Sequence, residues 1–139
     1  MENTLEINAA HEATTADMLN SVYAYAYAFY EQGRLDDAEV FFRYLCLYDF
    51  ANPDYALGLG ATYQLKKQFA QAIDVYRMVS LLNRRDCRPV FYTGQCHLML
   101  RNVEEAKRCF ERVLTEFEAT DLARFARNYL DLIALGQTG

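Results

Sequence analysis

Three stretches of eight residues decide the fold of this chain: LDDAEVFF at 35–42, FAQAIDVY at 69–76 and VEEAKRCF at 103–110. They align without a gap and begin at equal intervals, so that their alanines fall in one column. The interval is about 34 residues, a length typical of repeats that are built from two helices. Within and beyond each stretch the apolar residues recur at intervals of three and four, the spacing of a helix with one apolar face. Each stretch is therefore predicted to belong to the second helix of a repeated unit.

The first half of each unit repeats in the same register. A column of small residues and, three positions later, a column of rings recur in all units: Ala26, Gly60 and Gly94, then Phe29, Tyr63 and His97. A small residue opposite the alanine of the second helix lets two helices cross closely, while the rings fill the space between them. The pattern predicts helix pairs that stack, because one pair cannot bury its own apolar face.

These spacings resemble the tetratricopeptide repeat, with a small residue, an aromatic residue, an alanine and a second aromatic residue at these positions. The resemblance covers about residues 19–118, although valine or alanine replaces tryptophan at the first consensus position. It implies an all-α fold in which three tandem tetratricopeptide-repeat helix hairpins form a short right-handed solenoid. The expected repeats span about 19–52, 53–86 and 87–120.

The two ends of the chain have different patterns. After the third repeat, Leu122, Phe125, Ala126, Tyr129, Leu130 and Ile133 form another apolar stripe. This stripe predicts a C-terminal capping helix at about 121–135, because the last repeat of a solenoid exposes an apolar flank. Residues 1–12 have no strong pattern and are expected to be a flexible N-terminal segment, followed by a single domain at 13–139.

Local signals mark several helix ends. Asn52 before Pro53 is a favourable N-cap with proline in the first turn. Gly33 can adopt the left-handed conformation that ends a helix. Asp36 followed by Glu39 resembles a capping box.

Composition and charge disfavour several functions. The formal net charge of −5 disfavours nucleic acid, and the cluster of Arg84, Arg85 and Arg88 is interpreted as a solvated loop. No apolar run of about 18 residues and no signal-peptide pattern occur, so we expect a cytosolic protein without membrane insertion. The four cysteines lack C-x-x-C spacing and fall in apolar patterns, which indicates reduced packing residues.

No catalytic, metal-binding or cofactor-binding motif is recognisable. His11 and His97 are the two near-neutral bases, but His11 lies in a polar stretch and His97 in the ring column. Cys96 and His97 are neighbours on a helix and point about 100 degrees apart, so they cannot chelate one ion. We therefore expect no enzyme activity, no cofactor and no metal.

The tyrosines point to a binding surface. Tyr23, Tyr27 and Tyr30 form a stripe that is separate from the packing stripe of their helix, and exposed aromatic patches often mark binding sites. In tetratricopeptide folds the inner face of each first helix lines a concave surface. In this register the predicted groove residues are Tyr23, Tyr27, Tyr30, Leu57, Ala61, Gln64, Leu65, Phe91, Gln95 and Leu98. The alternative is that the N-terminal helix or a second subunit covers this face.

A closer resemblance comes from the runs at 23–43, 45–50, 53–61 and 89–96. They resemble the class II chaperones of bacterial type III secretion systems. The resemblance implies a bacterial cytosolic protein that binds hydrophobic translocator proteins before secretion, through an extended segment held in the concave face. It also implies homodimerisation and, in some members, assistance to a transcription activator. The family's tyrosine positions match Tyr23, Tyr27 and Tyr30.

Two other functional classes stay open. One is a structural scaffold or co-chaperone subunit of the secretion apparatus that binds a helical partner permanently. The other is an enzyme of novel type, which would need a polar pocket with clustered ionisable groups.

Overall fold

The structure, a computed structural model, describes the backbone of residues 2–138 and the side chains of residues 4, 6 and 14–137. Within this range the chain forms helices and no strand. The helices are α1 (Glu2–Glu31), α2 (Leu35–Tyr48), α3 (Pro53–Leu65), α4 (Phe69–Leu82), α5 (Arg88–Met99), α6 (Val103–Glu116) and α7 (Asp121–Thr138). Each helix packs mainly on the helices before and after it. The predicted all-α fold of three stacked hairpins and a capping helix is confirmed.

Helix α1 begins at Glu2 and so includes residues 2–12, which precede the first predicted repeat. The flexibility expected for residues 1–12 stays a prediction. His11 is not among the residues whose side chains the structure describes.

The three hairpins turn with the same backbone geometry. Gly33 has a φ of 76°, and the equivalent residues of the second and third hairpins, Lys67 and Arg101, have φ values of 63° and 64°. All three positions are therefore left-handed, as predicted for Gly33 alone. A residue with a side chain is strained in this conformation, whereas glycine is not.

One predicted cap is confirmed and another is wrong. The side-chain oxygen of Asn52 accepts a hydrogen bond from the backbone N–H of Asp54 at 3.0 Å. The capping box does not form, because Arg34 occupies the N-cap of α2 without a side-chain cap bond. Asp36 and Glu39 bind Lys66 Nζ instead, at 2.7 and 3.2 Å, and so connect the first hairpin to the second.

Glycines and rings pack against each other inside the hairpins. The rings of Tyr76 and Phe110 are fully buried. A Cβ added to Gly94 would lie 2.8 Å from the Phe110 ring, and a Cβ on Gly60 would overlap the Tyr76 ring. Gly60 and Gly94 thus pack against an aromatic ring of the second helix, and not against its alanine as predicted. The small column exists because a ring occupies the space that a side chain would need.

Helix α7 covers the end of the solenoid. Ala123, Ala126 and Ile133 are buried with Val90, Phe91, Phe110 and Val113. Tyr129 stacks on Phe110 with ring centroids 4.7 Å apart. Phe125, which the sequence placed in the apolar stripe, is instead 46% exposed beside Arg124.

The described cysteines are unpaired, and burial raises the pKa of Cys46 to about 11 and of Cys96 to about 12. These two thiols are buried, whereas Cys87 and Cys109 are half-buried. In the described range, no helix combines the length and the apolar character that a membrane crossing requires.

Candidate peptide-binding groove

A cavity of about 310 Å³ lies along the first helices of the three hairpins, with Tyr76 contributed by α4. We call this cavity the groove. Its lining residues are Tyr27, Tyr30, Leu57, Gly58, Ala61, Gln64, Leu65, Tyr76, Arg88, Tyr92 and Gln95. Tyr27 and Leu65 remain 37% and 51% exposed, so side chains at the groove are accessible from solvent.

Seven of the ten residues predicted from the sequence line the groove: Tyr27, Tyr30, Leu57, Ala61, Gln64, Leu65 and Gln95. They come from α1, α3 and α5, which the repeat register had placed on one face. The structure places the other three, Tyr23, Phe91 and Leu98, outside the lining.

Tyr23 is half-buried and packs against the groove residue Tyr27. Its ring lies 4.9 Å from the Tyr27 ring, 5.5 Å from that of Tyr55 and 6.3 Å from that of Phe42. Burial, together with the hydrogen bond to Tyr27, raises the pKa of the Tyr23 hydroxyl. Tyr23 therefore holds Tyr27 in position and is part of the packing between the first two hairpins.

Phe91 lies in the core, and Leu98 lines a different cavity. Phe91 is only 4% exposed, and its ring lies 5.7 Å from the rings of Phe110 and Tyr129. Leu98 lines a second cavity of about 420 Å³, which we call the apolar recess. The apolar recess is lined by Leu98, Val103, Tyr129, Leu132, Ile133, Gly136 and Gln137.

Sequence reasoning missed Tyr92, and it assigned Tyr76 to helix packing, with which the full burial of Tyr76 agrees. Both rings line the groove, with centroids 5.6 Å apart. Tyr92 stands in register with Ala24 and Gly58, so a large ring in a column of small residues is the signal that could have identified it. Gly58 lines the groove as well.

The hydroxyls of Tyr30, Tyr92 and Tyr76 are neutral at physiological pH. Burial raises the pKa of Tyr30, Tyr92 and Tyr76, and the effect is largest for Tyr76. The half-buried rings of Tyr30 and Tyr92 supply apolar contact area, and their neutral hydroxyls can donate or accept hydrogen bonds.

An ion-pair cluster lies at the edge of the groove. Arg88 binds Asp86 at 2.8 Å and Asp54 at 3.3 Å, so its positive charge is neutralised within the chain. Burial by itself raises the pKa of Asp86, but the hydrogen bonds from Arg88 outweigh this effect and lower it. Arg88 thus begins α5 and lines the groove, contrary to its interpretation as part of a solvated loop, whereas Arg84 and Arg85 are exposed.

Other ionisable groups do not gather at the groove. His97 is half-buried, its Nδ1 has no hydrogen-bond partner, and burial lowers its pKa. Among the residues that the structure describes, no three His, Cys, Asp or Glu side chains are arranged to hold a metal ion.

Comparison with known proteins identifies the family. The tetratricopeptide-repeat family matches residues 19–52, 53–79 and 90–120. The chaperone protein SicA of Salmonella typhimurium is 51% identical over 122 residues, which cover 88% of this chain and 74% of SicA. The chain belongs to the class II chaperones of type III secretion.

Two solved structures of these chaperones extend the comparison. PcrH of Pseudomonas aeruginosa, solved with the chaperone-binding region of PopD, superposes with a TM-score of 0.81 at 29% identity, covering 88% of this chain and 95% of PcrH. SycD of Yersinia enterocolitica, solved with a peptide of the translocator YopD, gives 0.77 at 27% identity, covering 87% of this chain and 95% of SycD.

Proposed function

We propose that the chain is a bacterial cytosolic chaperone that binds hydrophobic translocator proteins of a type III secretion system. It holds an extended apolar segment of the translocator in the groove and keeps the translocator soluble and competent for secretion. It acts by binding alone and catalyses no reaction.

The observation that carries the proposal is an aromatic groove that the described part of the chain leaves unfilled. Tyr27, Tyr30 and Tyr92 present rings to it, and Leu57 and Ala61 supply aliphatic surface. A groove that binds a carboxylate needs free lysine or arginine side chains. Among the described residues that line the groove, Arg88 is the one cationic residue, and its charge is neutralised by Asp86, so the groove suits an apolar segment. PcrH has been solved with the chaperone-binding region of PopD, and SycD with a peptide of the translocator YopD, which supports a translocator segment as the partner.

The binding energy comes mainly from apolar burial. Each 100 Å² of apolar surface removed from water contributes about 2.5 kcal/mol, and the loss of translational freedom and the ordering of the segment oppose it. We expect binding of a short segment to be reversible, because these costs offset part of the gain from apolar burial. Tyrosine rings provide wide contact area at low entropy cost, so they accommodate different side chains.

The test is co-expression with the secreted proteins encoded beside this chain, followed by an array of overlapping 12-residue peptides from those proteins. We expect a soluble complex and a defined set of binding peptides. Tyr27→Ala removes a groove ring and is expected to weaken the tightest peptide about 30-fold, the cost typical of an aromatic anchor.

Tyr25→Ala is the matched control, because Tyr25 lies on the same helix, is 61% exposed and does not line the groove. Equal affinities for the Tyr27 and Tyr25 variants would contradict the proposal, as would an array without any binding peptide. The structural-scaffold alternative predicts the opposite outcome: a permanent complex with a helical partner and no free form of the chain.

A further inference from the structure

Three hydrogen bonds form a continuous polar chain from the groove lining to the capping helix. The Tyr76 hydroxyl donates to Gln64 Oε1. Gln64 Nε2 donates to Gln95 Oε1 at 3.4 Å, and Gln95 Nε2 donates to the Tyr129 hydroxyl at 3.0 Å. We call this the amide chain. It runs from α4 through α3 and α5 to α7, and so connects the second and third repeats with the capping helix.

The amide chain uses only half of the hydrogen-bonding capacity of its two glutamines. A side-chain amide has two N–H donors and a carbonyl oxygen with two lone pairs. Gln64 and Gln95 each use one N–H and one lone pair within the amide chain, and no further hydrogen bond engages them among the described residues. Each amide therefore keeps one N–H donor and one acceptor lone pair for a bound segment, and its hydrogen bonds within the amide chain fix its orientation.

The position of the two glutamines is as informative as their chemistry. Both line the groove, and Tyr129, the last residue of the amide chain, lines the apolar recess. The amide chain thus connects the lining of the groove with the lining of the apolar recess. A segment that lies in the groove therefore meets both amides.

An extended segment needs such partners and a helix does not. In an extended strand each residue presents an unpaired backbone N–H and C=O, and burying either without a partner costs free energy. A helix satisfies these groups internally. A free amide N–H and C=O side by side match the two groups that an extended backbone presents.

We propose that Gln64 and Gln95 are specificity-determining residues that hydrogen-bond the main chain of the bound segment and select an extended conformation over a helical one. This inference rests on the proposed function, and it specifies how the groove recognises a segment without reading its side chains. Tyr76 and Tyr129 are positioning residues, because their hydroxyl groups bind and orient the amides of Gln64 and Gln95.

The experiment is a backbone ester scan of the tightest-binding peptide of the array. Replacing one peptide bond by an ester removes one N–H donor and leaves the side chains unchanged. In the wild-type chain, one or two central esters are expected to weaken binding about fivefold, the effect of one lost hydrogen bond, while the others have little effect. In Gln95→Met, which keeps the side-chain volume, one sensitive position is expected to lose its penalty.

The readout is the ratio of ester to amide affinity within each variant, which a general loss of stability does not change. Gln64→Met provides an independent second variant, and Gln71→Met, at an exposed position of α4 outside the groove, is the matched control. A penalty that persists in both groove variants, or a scan without sensitive positions in the wild type, overturns the inference and leaves the proposed function intact. Failure of every array peptide to bind overturns both.

Discussion

Replacing Gly60 by alanine tests how the hairpins pack and how packing shapes the groove. The added Cβ would overlap the ring of Tyr76, which has no exposed surface and whose hydroxyl is bound to Gln64. The ring therefore has little freedom to move away. Since Tyr76 also lines the groove, any displacement of the ring alters the binding surface.

The expected magnitude follows from two opposing effects. Overpacking a close-packed core costs about 1–3 kcal/mol. Alanine is favoured over glycine inside a helix by about 1 kcal/mol. Because the ring is held at both its edge and its hydroxyl, we take the upper part of the first range and expect a net loss of about 1–2 kcal/mol. For a chain of this size this corresponds to a Tm decrease of about 3–8 °C.

The assay is thermal and urea unfolding followed by circular dichroism at 222 nm. Gly136→Ala is the matched control: Gly136 also lies in a helix, but its added Cβ would meet no atom within 4 Å. The control should be neutral or stabilised by up to about 1 kcal/mol. An increase in Tm for Gly60→Ala similar to that of the control would refute the packing argument. Truncating the ring in Gly60→Ala/Tyr76→Leu should cost about 1 kcal/mol less than the sum of the single changes.

Two further predictions concern the turns and the groove edge. Arg101→Gly relieves the left-handed strain at an exposed position and should stabilise the chain by about 0.5–1 kcal/mol in urea unfolding, whereas Arg101→Lys, which keeps the strain, should be neutral. The folded state lowers the pKa of Asp86. Its ion pair with Arg88 therefore stabilises the fold fully at pH values above the unfolded-state pKa of about 3.9. This contribution is lost as the pH falls through the folded-state pKa. Arg88→Gln should therefore lower the Tm at pH 6, and the gap to the wild type should narrow at pH 3; a gap that is constant with pH would contradict the assignment.

Much of the groove was accessible to sequence reasoning because its residues repeat. Tyr27, Ala61 and Gln95 occupy the same position in the three repeats, and all of them line the groove. Identical hairpins that stack with a constant rotation place equivalent residues on the same face. The left-handed turn at Gly33 was predicted from its residue type alone, and residue type gives no such signal at Lys67 and Arg101, which occupy the equivalent positions of the next two repeats.

One difference between the predicted groove residues and the observed lining, at Phe91 and Tyr92, has a simple physical cause. Phe91 lies in the core and Tyr92 in the groove, although they are adjacent in the sequence. A step of one residue turns a helix face by about 100 degrees, so a small error in the assumed facing exchanges a core residue for a groove residue. The rotation between hairpins, which decides this facing, depends on side chains from several helices.

The sequence by itself determined the helical hairpins, their period, the capping helix and the face on which a partner is expected, because all of these follow from local periodicity. Only the tertiary structure decided that the groove and the apolar recess are separate cavities, and that the amide chain connects their linings. The hydrogen bond between Gln64 and Gln95 joins residues that are not equivalent in the repeat, since the residue equivalent to Gln64 in the third hairpin is Leu98. No repeat pattern specifies such a contact, because it arises from the way in which successive hairpins pack.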